Sequence, residues 1–182
     1  GIKYIHGAEF YVTETLDEKI KDNYHCCLYA KNYDGFLELN KLISKSFNRE
    51  DNSFYYSPRI SLEDLFGTSN NIIITTACLG GFFGKGSDAL QSKVVSFMQQ
   101  NKDRCFLEIQ PHLVEKQIKL NKKLYDIHKT TGIRLMVGTD THALNDIHAK
   151  GRVILQKAKN IFADISSDLL VSFATSAPCL SL

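Results

Sequence analysis

Residues 71–81 have the sequence NIIITTACLGG, and this stretch decides the fold class. Its β-branched, apolar first half is typical of a strand buried on both faces of a parallel sheet. The glycine pair that follows favours a tight turn, and apolar residues at helical spacing then occupy residues 87–100. A strand, a glycine turn and a helix in this order predict a βαβ unit, so the sequence indicates an α/β protein.

The alternation of strand and helix continues toward the C-terminus. We predict strands at residues 105–110 and 133–137, and helices over residues 113–130 and 146–159, the first of which ends at Gly132. Segments of this length suit a parallel α/β sheet or barrel. In such folds the functional side chains lie beyond the carboxyl ends of the strands.

The N-terminal half contributes further elements. We predict strands at residues 3–12 and 25–30, a surface loop over 48–58, and helices over 33–47 and 61–66. In the last of these, Ser61 is followed three residues later by Asp64, which is a form of the capping box. The segment 166–182 is low in charge, and we assign it no structure.

Composition limits the class of protein. With 182 residues, of which 43% are hydrophobic and 23% charged, the chain suits one compact soluble domain. It has no apolar run long enough to span a bilayer and no secretory signal, so we expect no membrane partner. Five irregularly spaced cysteines favour reduced thiols and a cytoplasmic location. The net charge of +2 is too small to indicate nucleic-acid binding by itself, and the lysines of residues 113–130 are typical of a solvated helix face.

Several residues with metal-binding side chains occupy or follow predicted strands. They are Glu9, His25, Cys78, Glu108, His112, Asp140 and His142. In Asp140-Thr141-His142 the acid and the imidazole are two residues apart, so an extended backbone turns both to the same side. A set of oxygen, nitrogen and sulfur ligands suits zinc or manganese better than calcium.

Each of these residues also has a structural interpretation. An Asp that follows a strand is commonly a turn or cap residue, and Cys78 has the size of a buried apolar residue. Glu108 and His112 would cap the helix that follows them, and His25 would be a hydrogen-bonded strand residue. The residue types alone leave both interpretations open.

Seven segments in order carry a resemblance to a known family. They are GIKYIHGAEFYV (1–12), HCCLYAKN (25–32), GFLELNKLISK (35–45), PRI (58–60), TTACLGG (75–81), FLEIQ (106–110) and TDTH (139–142). Together they resemble the PHP (polymerase and histidinol phosphatase) domain of bacterial and phage DNA polymerase III alpha subunits. The likeness extends over about residues 1–160, and agreement of several independent motifs in one order makes chance an inadequate explanation.

The resemblance implies a fold and a metal site. The fold would be part of a distorted (β/α)7 barrel, with the PHP domain over residues 1–160 and an unassigned tail over 161–182. The implied ligands of divalent zinc or manganese are Glu9, His25, Cys78, Asp140 and His142, the last two also being the implied catalytic residues. A thiolate at Cys78 would favour zinc. The family does not use Glu108 or His112 as ligands, so we expect them beside the site.

The resemblance also implies an activity. Members with an intact cluster are associated with metal-dependent 3′→5′ exonuclease or phosphoesterase chemistry, in which metal ions activate water and bind phosphodiester oxygens. The parent protein would be a magnesium-dependent, DNA-directed DNA polymerase that acts in replication, with DNA and other replisome subunits as partners. The family's His-x-His motif precedes the segment that aligns with Gly1, so we expect these residues alone to be inactive. Two alternatives are a stand-alone PHP phosphoesterase acting on a small phosphorylated metabolite and a non-catalytic replisome scaffold.

Overall fold

A computed structural model of the chain describes residues 4–165. The chain forms two compact units, of which the first ends at Thr139 and the second begins at Asp140. The first unit holds the strands β1 (Gly7–Thr13), β2 (Tyr24–Ala30), β3 (Phe54–Tyr55), β4 (Ser57–Ser61), β5 (Ile72–Thr75), β6 (Cys105–Ile109) and β7 (Arg134–Val137). It also holds the helices α1 (Tyr33–Ser46), α2 (Leu62–Phe66), α3 (Phe82–Lys85), α4 (Asp88–Gln100) and α5 (Glu115–Thr131). The second unit holds helix α6 (Asp146–Ile165).

The strands form one mixed sheet in the order β3-β4-β1-β2-β5-β6-β7, with the two-residue β3 at one end. Strand β2 is antiparallel to both β1 and β5, whereas β1 is parallel to β4. Strands β5, β6 and β7 are mutually parallel, which confirms the parallel arrangement predicted for the C-terminal strands. The α/β class is therefore confirmed, while closure into a barrel stays a prediction.

The two faces of the sheet differ in polarity because side chains alternate along each strand. On one face Val12, Cys26, Leu28, Ile74 and Leu107 are buried and form the core with apolar residues of the helices. The strand register places polar side chains on the opposite face: Glu9 is paired with Cys27, Cys27 with Thr75, and Tyr11 with His25. We call this second surface the polar face.

Most predicted elements are present, and two predicted ends are confirmed in atomic detail. The capping box is formed, since Ser61 Oγ accepts a hydrogen bond from Asp64 N and Asp64 Oδ2 accepts one from Ser61 N, both at 3.0 Å. Gly132 ends α5 in the left-handed conformation, with φ of 71°, and its N–H donates to His128 O at 2.8 Å.

Other predictions were wrong. The first strand begins at Gly7 rather than at residue 3, so Glu9 is its third residue. The loop predicted over residues 48–58 contains β3 and the start of β4, which pair around Tyr56 at a φ of 61°. Helix α3 was not predicted because one turn is too short to show periodicity.

Helix α6 extends beyond the predicted residue 159 to Ile165. The segment 166–182, to which we assigned no structure, lies outside the described residues. No helix within residues 4–165 has the length and apolar character required to cross a membrane.

Candidate metal centre

Three of the predicted ligands meet on the polar face. One ligand atom from each of Glu9, His25 and Cys78 lies within 4.8 Å of the others. Glu9 and His25 are diagonal neighbours on the antiparallel pair β1–β2, a separation that long side chains can bridge. Cys78 follows the end of β5, the other neighbour of β2. His25, on the central strand β2, is therefore approached by one side chain from β1 and by one from the loop after β5.

His25 is the contact point of this group. Its Nδ1 lies 2.6 Å from Glu9 Oε1 and 3.4 Å from Cys78 Sγ. The Cys78 sulfur also accepts a hydrogen bond from Gly80 N at 3.4 Å. The Tyr11 ring lies 4.8 Å from the His25 ring, centroid to centroid. We did not predict Tyr11, although its position two residues after Glu9 puts it on the same face of the strand.

The loop after β5 is shaped so that Cys78 approaches His25. Ala77 has a φ of 53°, which L-residues adopt rarely, and it begins a reversal of the chain: Thr75 pairs antiparallel to β2, whereas Gly81 forms a parallel bridge with His25. Gly81 N then donates to Cys78 O at 2.9 Å, and His25 N donates to Gly80 O at 3.0 Å. The loop is therefore tied directly to the backbone of the strand that carries His25.

Glycine is required in this loop by close packing. A Cβ at Gly80 would lie 3.0 Å from two atoms of the His25 ring. One at Gly81 would lie 2.4 Å from the carbonyl oxygen of Thr76, which no side chain can tolerate without movement of the backbone. The glycine pair that indicated a tight turn in the sequence thus also gives the imidazole its space.

The electrostatics of the group favour a cation. Hydrogen bonds to Cys78 and Glu9 raise the pKa of His25 from 6.5 to about 9, against the opposing effect of burial. Glu9 and Cys78 therefore favour a positive charge at the imidazole. Burial raises the pKa of Tyr11 as well, and the charges of Glu9 and Cys78 add to this effect.

A divalent metal ion fits this donor set. One carboxylate oxygen, one imidazole nitrogen and one thiolate sulfur match the ligands of zinc sites with three protein ligands. The side chains of His25 and Glu9 are 25% and 36% exposed, so the group is open to solvent and to a ligand. Cys27, which also lies on the polar face, is a poorer donor because burial, together with the charges of Glu108 and Glu9, raises its pKa to about 12.

Asp140 and His142 lie at the start of the second unit. The backbone at Asp140 is left-handed, with a φ of 46°, and His142 Nδ1 lies 2.6 Å from Asp140 O and 3.7 Å from Asp140 Oδ1. The acid and the imidazole of the Asp-x-His sequence are therefore adjacent, but through a left-handed residue rather than the extended backbone that we predicted. Their role as metal ligands and catalytic residues stays a prediction.

Neither Glu108 nor His112 caps the following helix, so that structural interpretation was wrong. Helix α5 begins after Val114, which makes no side-chain capping bond. Glu108 instead lies within β6 with a buried side chain, and His112 is exposed in the segment that joins β6 to α5. Because α5 begins at Glu115 rather than at the predicted residue 113, neither side chain lies at its N-terminal end.

Comparison with known proteins places this geometry in a family. The PHP domain pattern matches residues 1–112. The DNA polymerase III subunit alpha of Borreliella burgdorferi is 32% identical over 167 residues, which cover 85% of this chain and 14% of that protein. The corresponding subunit of Aquifex aeolicus is 30% identical over 185 residues, covering 92% of this chain and 16% of that protein. A DNA-directed DNA polymerase of Bacillus phage SPbeta is 32% identical over 178 residues, covering 78% and 13%.

The chain thus spans about one seventh of the length of these relatives. The matched region contains Glu9, His25 and Cys78, the residues that meet on the polar face. The chain belongs to the PHP domain family and is homologous to DNA polymerase III alpha subunits over most of its length.

Proposed function

We propose that this chain is the PHP portion of a replicative, DNA-directed DNA polymerase. The names of its relatives support this proposal, since DNA polymerase III alpha subunits and a phage DNA polymerase align with most of the chain. The parent protein then uses magnesium for polymerisation, acts in the cytoplasm on DNA, and contacts other replisome subunits. Residues 1–160 form the PHP domain as part of a distorted (β/α)7 barrel, and residues 161–182 stay unassigned.

We further propose that Glu9, His25 and Cys78 bind a divalent metal ion, with Asp140 and His142 completing the ligand set. The observation that carries this proposal is the convergence of three donor atoms, one each of oxygen, nitrogen and sulfur, within 4.8 Å. Zinc suits the thiolate best, and manganese is the alternative for a site rich in oxygen and nitrogen ligands. The proposed reaction is hydrolysis of a phosphodiester, in the 3′→5′ direction on a DNA end.

The residues of the chain have separate tasks in this reaction. When bound, a divalent ion supplies Lewis-acid chemistry that polarises a phosphoryl oxygen and makes water a better nucleophile. To hold the ion, His25 would have to be neutral, with one ring nitrogen free of a proton, and Glu9 and Cys78 would present charged donors. The hydrogen bond that His25 N donates to Gly80 O fixes the separation of the imidazole from the Cys78 sulfur. The metal ligands therefore need little reorganisation when an ion binds.

The metal proposal is tested by cobalt binding to the reduced chain. We expect Co²⁺ to produce a thiolate-to-cobalt charge-transfer band that Zn²⁺ abolishes by competition, because Cys78 is a ligand in both cases. Cys78→Ser should remove the band and weaken binding by about 10- to 100-fold. Cys27→Ser is the matched control, since Cys27 lies on the same face and its raised pKa keeps it a thiol. A band that survives Cys78→Ser, or that disappears in Cys27→Ser, contradicts the assignment.

A further inference from the structure

A buried carboxyl group lies beside the proposed centre without being one of its ligands. Glu108, at the carboxyl end of β6, is 5% exposed. Its Oε2 accepts a hydrogen bond from Thr75 Oγ1 at 2.6 Å, and its Oε1 accepts one from Gln110 Nε2 at 3.1 Å. Within residues 4–165, no cationic side chain forms an ion pair with it. Burial of a carboxylate among neutral donors is costly, so fold stability does not explain its presence.

Glu108 holds the end of β5, from which the Cys78 loop departs. Its carboxylate accepts from the side chain of Thr75, while its backbone N–H donates to Thr76 Oγ1 at 2.9 Å. Both threonines are buried, and the strained Ala77 follows them directly. Glu108 therefore fixes the last two residues before the reversal that brings Cys78 to His25.

Glu108 also contacts the end of β7, from which the Asp-x-His segment departs. A Cβ at Gly138 would lie 1.9 Å from Glu108 Oε1, so the backbone of Gly138 packs directly against the carboxyl group. Gly138 N donates to Ile109 O at 3.0 Å, which holds it at the level of β6. Gly138 precedes Asp140 by two residues, so the Glu108 side chain contacts the last residue of β5 and the residue that follows β7.

We propose that Glu108 is a positioning residue of the metal centre, which fixes the starting points of the segments that carry Cys78 and Asp140. Its side chain acts through Thr75 and Gly138 and does not itself bind the ion. Its effect on metal affinity rests on the metal site proposed above. Its effect on the two loops does not depend on any metal, so the two proposals can fail separately.

The loop effect is measured on the metal-free chain by amide hydrogen exchange and by the rate at which iodoacetamide alkylates Cys78, identified by mass spectrometry. In Glu108→Ala we expect exchange of residues 76–81 and 138–139, and alkylation of Cys78, to become at least five-fold faster. Glu108→Gln keeps the shape but turns one acceptor into a donor, so we expect an intermediate effect. Glu38→Ala is the matched control, because Glu38 holds a distant loop through Ser69 N and Oγ.

Metal affinity supplies the second measurement. We expect Glu108→Ala to weaken Co²⁺ binding by at least ten-fold, Glu108→Gln by less, and Glu38→Ala not at all. Unchanged loop exchange and alkylation in Glu108→Ala overturn the proposal, as does exchange that rises equally across the whole sheet. If Glu108→Ala does not fold, Glu108→Gln decides: faster alkylation of Cys78 supports the proposal, and an unchanged rate overturns it. If the wild-type chain binds no metal, the metal proposal fails while the loop measurements still decide the role of Glu108.

Discussion

In the candidate centre Gly80 packs closely against the imidazole of His25, and this contact permits a sharp test. In Gly80→Ala the new methyl carbon would lie 3.0 Å from the Cε1 and Nδ1 atoms of the ring and 3.1 Å from Cδ2. Favourable contacts between heavy atoms of this kind lie at about 3.5–4.0 Å. Either the ring or the loop must therefore move by about 0.5 Å or more.

This displacement has two measurable consequences. Overpacking of this kind costs about 1–3 kcal/mol of unfolding free energy, which lowers the thermal midpoint of a chain of this size by roughly 2–12 °C. Metal–ligand distances tolerate deviations of only about 0.2 Å, so Co²⁺ and Zn²⁺ affinity should fall by roughly 10- to 100-fold. Thermal unfolding of the metal-free chain and calorimetric metal titration measure the two effects separately.

Gly67→Ala is the control for Gly80→Ala. Gly67 follows α2 with a φ of −77°, and its new methyl group would meet only Glu63 O at 3.2 Å and Asp64 O at 3.7 Å. We expect it to change metal affinity less than two-fold. If Gly80→Ala binds metal as tightly as the wild type and unfolds at the same temperature, the packing of His25 against the loop is not what positions the ligands.

Three further predictions concern other parts of the chain. The pKa of His25 in the metal-free fold is about 9 instead of 6.5, so its protonated form stabilises the fold fully below pH 6.5, and this contribution is lost as the pH rises through 9. The free energy of unfolding measured in urea should therefore decline less over this interval in His25→Gln than in the wild type, and equal declines would refute the prediction. Arg59 is 1% exposed and its guanidinium donates to two loop carbonyls, so Arg59→Met should lower the free energy of unfolding by about 3 kcal/mol. A loss below about 1 kcal/mol would show that other contacts hold these loops. In the full-length polymerase proposed above, replacing Asp140 and His142 by Ala should abolish metal-dependent 3′→5′ exonuclease activity and leave primer extension intact; exonuclease activity that persists would exclude both residues from catalysis.

The elements that the sequence predicts well are those defined by local interactions. The helices α1, α4 and α5 show apolar residues at helical spacing, and the capping box at Ser61 and the left-handed Gly132 each depend on a few neighbouring residues. The predictions that were wrong concern elements that depend on distant segments of the chain. The two-residue β3 exists only because it pairs with β4, and the start of β1 at Gly7 coincides with the start of its pairing to β2. A strand end of this kind depends on the partner strand rather than on local residues.

The candidate site divides in the same way. The structure places Asp140 and His142 next to each other, which their closeness in the chain favours, but the left-handed backbone at Asp140 could not be predicted from the alternation of an extended strand. The involvement of Tyr11 with His25 could have been found from its spacing to Glu9. The role of Glu108 could not, because its partners Thr75 and Gly138 lie about 30 residues away on either side.

By itself, the sequence determined the α/β class, most helices and strands, and the chemical types of the donors. Only the tertiary structure decided that Glu9, His25 and Cys78 come within 4.8 Å of one another. Their meeting depends on the registers of β1 with β2 and of β2 with β5, and on the reversal at Ala77. Strand register is set by hydrogen bonds and packing between distant segments, and a shift of one residue would turn each donor to the opposite face. The physical reason is that local sequence specifies which side chains can bind a metal ion, whereas only non-local pairing specifies which of them share a site.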